Sequence, residues 1–133
     1  MAYFKLFSTD DGHEPAYEYL PAGAITPKYG MALYVASGNL AVAAGANKPA
    51  YISMQEESSA LVAGTKIAVV KIQPDQVWEA ESSAAAAATV GASYDIESGG
   101  LAVKCGTTTN GGFTVEYTDG GNAVGHIVRG RMA

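Results

Sequence analysis

Residues 30–45 constrain the fold more than any other stretch of the chain. They contain two short apolar runs, residues 32–36 and 40–44, separated by Ser37-Gly38-Asn39. Gly and Asn tolerate the positive φ angles that tight hairpin turns require. The stretch therefore predicts a β-hairpin.

A related stretch follows at residues 91–106. When it is aligned with residues 30–45, seven of the sixteen positions are identical. The identities lie on the turn and on the strand after it, where turn geometry and core packing constrain the residues most. The pseudo-repeat predicts two similar hairpin-containing halves, with Leu40 and Val42 buried in places equivalent to Leu101 and Val103. The alternative is a common hairpin sequence that recurs by chance.

Further strand signals continue along the chain. Residues 66–73 are rich in β-branched residues, residues 76–81 alternate with Trp78 on the apolar side, and residues 113–117 alternate with Tyr117 facing inward. Eight to ten short strands with regular turn signals predict an all-β fold, a compact barrel or sandwich. We assign residues 30–133 to this single β-domain.

An alanine-rich segment at residues 81–90, with five alanines at positions 84–88, joins the two halves of the pseudo-repeat. Alanine has the highest helix propensity, but a helix this short is marginal in water. The segment predicts one or two helical turns or a plain linker.

Residues 1–29 differ from the rest because proline recurs at every sixth position, at Pro15, Pro21 and Pro27. Proline excludes a central strand or a long helix. The segment predicts an extended N-terminal arm that packs on the β-domain or on a neighbouring subunit, and whose first twenty residues are dispensable for folding. The predicted partner-binding residues are the large aromatics Tyr3, Phe4, Phe7, Tyr17, Tyr19 and Trp78.

Charge and composition narrow the class of partner. The formal net charge is −5 and the basic residues are scattered, which argues against a nucleic-acid-binding surface. Only 16% of the residues are charged, which fits either a surface that a protein partner covers or a β-protein rich in small residues that simply carries less charge. No run of 18 apolar residues is present, so no transmembrane helix is expected. Without a signal-peptide pattern, folding is expected in a cytoplasm.

Three groups of residues could carry chemistry, and each has a simpler structural interpretation. His13 lies in an acidic loop that could hold a metal ion, but no ligand spacing repeats. Cys105 and His126 could form a nucleophile pair, but nothing in the sequence places them together. Glu79 and Glu81 share a strand face, as exposed glutamates commonly do. We therefore predict no catalytic, cofactor-binding or metal-binding residues and no enzymatic activity.

The hairpins carry two specific motifs. The first is Gly-x-x-Leu-Tyr-Val-x-Ser-Gly-x-Leu at residues 30–40, and the second is Val-Gly-x-x-Tyr-x-Ile-x-Ser-Gly-Gly-Leu at residues 90–101. With the proline-rich arm and the closing residues 125–131, their order resembles that of the head decoration, or cement, proteins of tailed bacteriophages. The resemblance covers most of residues 20–133, although residues 53–64 match nothing in the family.

The resemblance implies a function as well as a fold. It implies a non-enzymatic all-β protein on the outside of an icosahedral phage head, where it stabilises contacts between major capsid subunits. The expected partners are the major capsid protein and further copies of this chain, as a trimer. The expected location is the capsid exterior of the virion, after assembly in the host cytoplasm. The alternatives are another virion component, in the tail or a fibre, or a soluble carbohydrate-binding β-domain that uses Trp78 and the tyrosines.

Overall fold

The computed structural model describes residues 3–132, which form eleven β-strands and no helix. The strands are β1 (Lys5–Thr9), β2 (Tyr17–Pro21), β3 (Ala32–Ala36), β4 (Asn39–Val42), β5 (Tyr51–Ser53), β6 (Lys66–Lys71), β7 (Gln76–Glu81), β8 (Ser93–Ile96), β9 (Val103–Lys104), β10 (Phe113–Thr118) and β11 (Ile127–Arg131). The all-β prediction is therefore confirmed. Within these residues no helix has the length and apolar character needed to span a membrane.

Two antiparallel sheets pack together as a sandwich-like fold. The large sheet has the order β1-β7-β11-β10-β8-β9, and the small sheet has the order β2-β6-β5-β3-β4. Each sheet curls, because an isolated bridge joins Ala22 to Leu40 in the small sheet and another joins Ser82 to Val103 in the large sheet. These bridges partly close the sheets and so reduce the length of open strand edge.

The curling creates two hydrophobic cores. The main core lies between the sheets around Phe4, Trp78 and Phe113. The second core fills the concave side of the small sheet, and its buried members are Ala22, Met31, Leu33, Leu40, Ile67 and Val69. Strand β6 separates the cores and is buried on both faces, which explains why its sequence is continuously apolar rather than alternating.

Trp78 is a core residue. Strand β7 alternates between buried and half-buried residues, as its sequence predicts, and the Trp78 side chain is 0% exposed. Its indole Nε1–H donates to Oε1 of Gln76 over 3.2 Å, and the Gln76 amide donates to the Lys71 carbonyl over 3.0 Å. The buried polar atoms of both side chains are thereby paired, which burial requires.

The first predicted hairpin is present as β3 and β4. Ala36 pairs with Asn39, which leaves Ser37 and Gly38 as a two-residue turn. Their φ angles are 51° and 83°. Two positive φ angles define the turn geometry that matches the twist of a hairpin.

The second predicted hairpin, β8 and β9, has a different geometry. Ile96 pairs with Val103, so the connection spans six residues, 97–102. Burial is also inverted, since Val103 and Leu40 are fully buried whereas Leu101 and Val42 are only partly buried. The expectation of equivalent buried positions is therefore wrong, although each sheet does contain one of the two hairpins.

The N-terminal segment belongs to both sheets. Strand β1 pairs with β7 at the edge of the large sheet, and β2 pairs with β6 at the edge of the small sheet. Phe4 lies in the main core, with its ring centroid 5.9 Å from that of Phe113. The segment thus packs on its own chain, and the edge position of β2 suits Pro21. Contrary to the sequence-based expectation, we expect removal of residues 1–20 to destabilise the fold.

One local detail also differs from the sequence-based expectation. Tyr117 faces outward, because a register shift between Val115 and Tyr117 in the β10–β11 pair changes the direction of its side chain.

Residues 84–88 form no helix, so the linker interpretation is confirmed. Ala86 and Ala88 in this linker pack against the main core.

Trp78→Ala should lower the free energy of unfolding by about 3–5 kcal/mol, because a large aromatic side chain would leave a cavity in the main core. Equilibrium unfolding in urea measures this change. Val124→Ala is a suitable control, since Val124 is exposed, and should change the free energy by less than about 0.5 kcal/mol. A loss below about 1 kcal/mol for Trp78→Ala would contradict its role as the centre of the core.

Candidate functional site

A cavity of about 270 Å³ opens where the edge strands β1 and β2 of the two sheets face each other. We call it the seam cavity. Phe4 and Trp78 form its floor, and Tyr17, Tyr29 and Met54 line its sides. The cavity therefore lies beside the edge of the main core.

Strand β2 carries two exposed tyrosines, of which Tyr17 lines the seam cavity. Tyr17 pairs with Val70 and Tyr19 pairs with Ala68, so the tyrosines point to the same side of the small sheet as these residues. Val70 faces the main core, which places that side toward the large sheet. Because β2 lies at the sheet edge, Tyr17 and Tyr19 remain 53% and 64% exposed.

Phe7 lies on a different surface, the outer face of the large sheet. The Arg129 guanidinium carbon is 4.0 Å from the Phe7 ring centroid and 4.5 Å from that of Tyr117. The guanidinium thus contacts two aromatic rings, an attractive arrangement. Half of Phe7 is still exposed, at 51%.

The structure brings together only some of the predicted partner-binding residues. Phe4, Tyr17 and Trp78 meet at the seam cavity, whereas Phe7 does not. Phe4 and Trp78 have no exposed surface, so a partner could not contact them in the intact fold. Tyr3 is half-buried and contacts Tyr29 edge to face, with 5.6 Å between the ring centroids.

Sequence analysis missed several lining residues of the seam cavity, among them Tyr29 and Met54. Tyr29 lies in the same aromatic, proline-rich segment as the predicted residues, and that signal could have identified it. Met54 follows β5 and reaches the cavity only through the pairing of distant strands. Nothing in its local sequence indicates this position.

A second cavity, of about 280 Å³, adjoins the seam cavity and shares Glu14 and Pro15 with it. Its ionisable lining residues are Asp11, His13, Glu14, Glu18, Lys71 and Asp75. Carboxylates outnumber the single lysine, so the rim beside the aromatic seam is acidic. A neutral or basic partner surface fits this rim better than an acidic one.

The fold does not bring further metal ligands to His13, which the sequence offered as a possible metal-binding residue. His13 is exposed, and its Nδ1 lies 3.3 Å from a carboxylate oxygen of Asp11. Backbone and side-chain hydrogen bonds from His13 hold the pKa of Asp11 below its ordinary value. Across residues 3–132 there is no group of three or more His, Cys, Asp or Glu side chains that could hold a metal ion.

Cys105 and His126 occupy structural positions. The Cys105 thiol is buried, and burial raises its pKa, which disfavours the nucleophilic thiolate. His126 places Nε2 at 2.7 Å from the Ala86 carbonyl oxygen and Nδ1 at 3.7 Å from Asp119 Oδ1. The ring thus links the alanine-rich linker to the β10–β11 connection, and neither nitrogen hydrogen-bonds the Cys105 thiol.

Glu79 forms part of an ion-pair row across three strands of the large sheet. Its carboxylate lies 3.3 Å from Lys5 Nζ on β1 and 2.8 Å from Arg129 Nε on β11. The Arg129 hydrogen bond, aided by Lys5 and opposed by burial, holds the pKa of Glu79 below its ordinary value. A carboxylate engaged on both sides fits a structural role better than general acid catalysis, which requires a raised pKa.

Neither a comparison with protein-family models nor a search of curated proteins found a match for this chain. The candidate site is therefore defined by the geometry of the seam alone.

Glu79→Gln should lower the free energy of unfolding at neutral pH. It should also reduce the loss of stability that occurs as the pH falls. A pKa that is lowered in the folded chain gives stabilisation above the ordinary value of 4.5, and this is lost as the pH falls through the lowered value. Urea unfolding at a series of pH values measures the effect. Glu18→Gln, a change on the exposed face of β2, should leave the profile unchanged. Parallel profiles for wild type and Glu79→Gln would refute the assignment.

Proposed function

We propose that this chain is a structural, non-enzymatic protein that decorates the outside of a tailed-phage head and stabilises contacts between major capsid subunits. The observation that carries the proposal is the pair of exposed tyrosines, Tyr17 and Tyr19, at the open edge of a sandwich whose core is otherwise covered. The resemblance of the hairpin motifs to head decoration proteins supports the choice of partner.

The chemistry of the seam surface, which we define as Tyr17, Tyr19 and Tyr29 with the seam cavity, fits protein binding. Tyrosine is enriched at protein interfaces because it combines a large apolar ring with a hydroxyl group. Strand β2 fixes the backbone of Tyr17 and Tyr19, which reduces the conformational entropy lost on binding. A surface this small needs many simultaneous contacts to hold the protein on a shell. Many copies on a symmetric shell provide these contacts, which strengthen binding through avidity. Association of this chain as a trimer belongs to the same proposal.

The rival carbohydrate-binding function would be favoured by an exposed tryptophan beside tyrosines. Instead, Trp78 is buried and its indole N–H is bonded to Gln76. No specific observation favours this rival, and a tail or fibre role would use the same seam surface on a different assembly.

The double variant Tyr17→Ser and Tyr19→Ser should weaken binding to heads by at least about tenfold, because aromatic residues at an interface contribute most of its binding energy. Co-sedimentation with expanded, DNA-free heads built from the major capsid subunit of the same phage measures binding. Val124→Ser removes an equally exposed apolar side chain in the β10–β11 connection and should bind as wild type does.

The proposal also predicts that expanded heads bind this chain more tightly than unexpanded precursors, if several shell subunits form each binding site. Saturation of heads by the double variant at wild-type concentrations would exclude the seam surface as the interface. Failure of the wild-type chain to bind either form of head would overturn the proposed function itself. Binding to isolated tails instead of heads would support the alternative virion role.

A further inference from the structure

The connection between β9 and β10 contains Asn110-Gly111, the one Asn-Gly dipeptide in the sequence. In such a dipeptide, the backbone nitrogen of the glycine can attack the asparagine side chain with little hindrance, since glycine has no Cβ. The nitrogen loses its proton and bonds to Cγ of Asn110, and ammonia leaves. Water then opens the resulting succinimide at either carbonyl carbon, which gives aspartate or isoaspartate.

Asp95 contacts the groups that this reaction needs. Its Oδ1 accepts hydrogen bonds from the backbone N–H groups of Asn110, over 2.7 Å, and Gly111, over 2.9 Å. Its Oδ2 accepts a third from Nδ2 of Asn110, over 3.2 Å. Asp95 is itself only 5% exposed, on strand β8. The carboxylate therefore holds both the attacking nitrogen and the leaving amide.

The charge of Asp95 reinforces this geometry. Burial alone raises the pKa of Asp95, but the hydrogen bonds from Gly111 and Asn110 together outweigh burial and hold the pKa below its ordinary value. The group is thus a carboxylate at neutral pH. Loss of the Gly111 amide proton next to this negative charge is unfavourable, since it would place two anions in contact.

We propose that Asn110 is a latent deamidation site that the Asp95 carboxylate keeps closed in the folded chain. Reaction requires the connection to open, so its rate follows the population of the locally open state. After deamidation, the connection cannot return to its original closed conformation. A carboxylate at position 110 has lost the Nδ2 donor and faces Asp95 with a like charge, which releases the anchor of the connection.

Incubation of the full chain at mildly alkaline pH, followed by peptide mass mapping, tests the proposal. Asn110 in the folded wild type should deamidate at least about tenfold more slowly than in the urea-unfolded chain, because only the open fraction reacts. Asp95→Asn should approach the unfolded rate, whereas Asp75→Asn, the same change at a distant site, should keep the wild-type rate. Equal rates for folded and unfolded wild type, or a wild-type rate for Asp95→Asn, would overturn the proposal.

A second measurement applies if Asp95→Asn does not fold. Hydrogen exchange of the Gly111 amide in the wild type should be slow, since this N–H donates to a mostly buried carboxylate. Exchange at the rate of an unstructured amide would also overturn the proposal. Neither experiment involves capsids, so the outcome is independent of the proposed function.

Discussion

The shared burial of Phe4 and Trp78 is the packing interaction on which the rest of the structure depends. Phe4 comes from the N-terminal segment and Trp78 from the middle of the chain, yet both are fully buried in the main core. Apolar burial is the dominant favourable contribution to folding. It therefore fixes β1 at the edge of the large sheet, and the seam between β1 and β2 lies directly above the buried rings.

The open seam follows from the edge positions of β1 and β2, the second of which ends in Pro21. Edge strands tolerate proline, but one side of each such strand has no neighbour to cover it. In this chain β2 exposes Tyr17 and Tyr19 rather than the lysines that commonly protect sheet edges. A domain that exposes aromatic rings at an edge is suited to a partner that covers them, and the proposed attachment to a symmetric shell provides one.

Much of the fold could be predicted from the sequence because it depends on local patterns. Alternation along residues 76–81 placed Trp78 inside, and the turn at Ser37 and Gly38 requires only the residues that form it. The candidate site was less predictable. The aromatic segment was identified, but nothing local distinguishes the buried Phe4 from the exposed Phe7.

Residues 30–45 and residues 91–106 are similar in sequence. They fold differently because the parts of the structure around them differ. The sequence by itself determined the all-β class, the first hairpin and the strand at residues 76–81, since periodicity and turn chemistry act over a few residues. Only the tertiary structure decided the long connection before Val103, the outward turn of Tyr117 and the contacts of Asp95 with Asn110. Each of these depends on strands that are distant in sequence, and such contacts leave no local pattern.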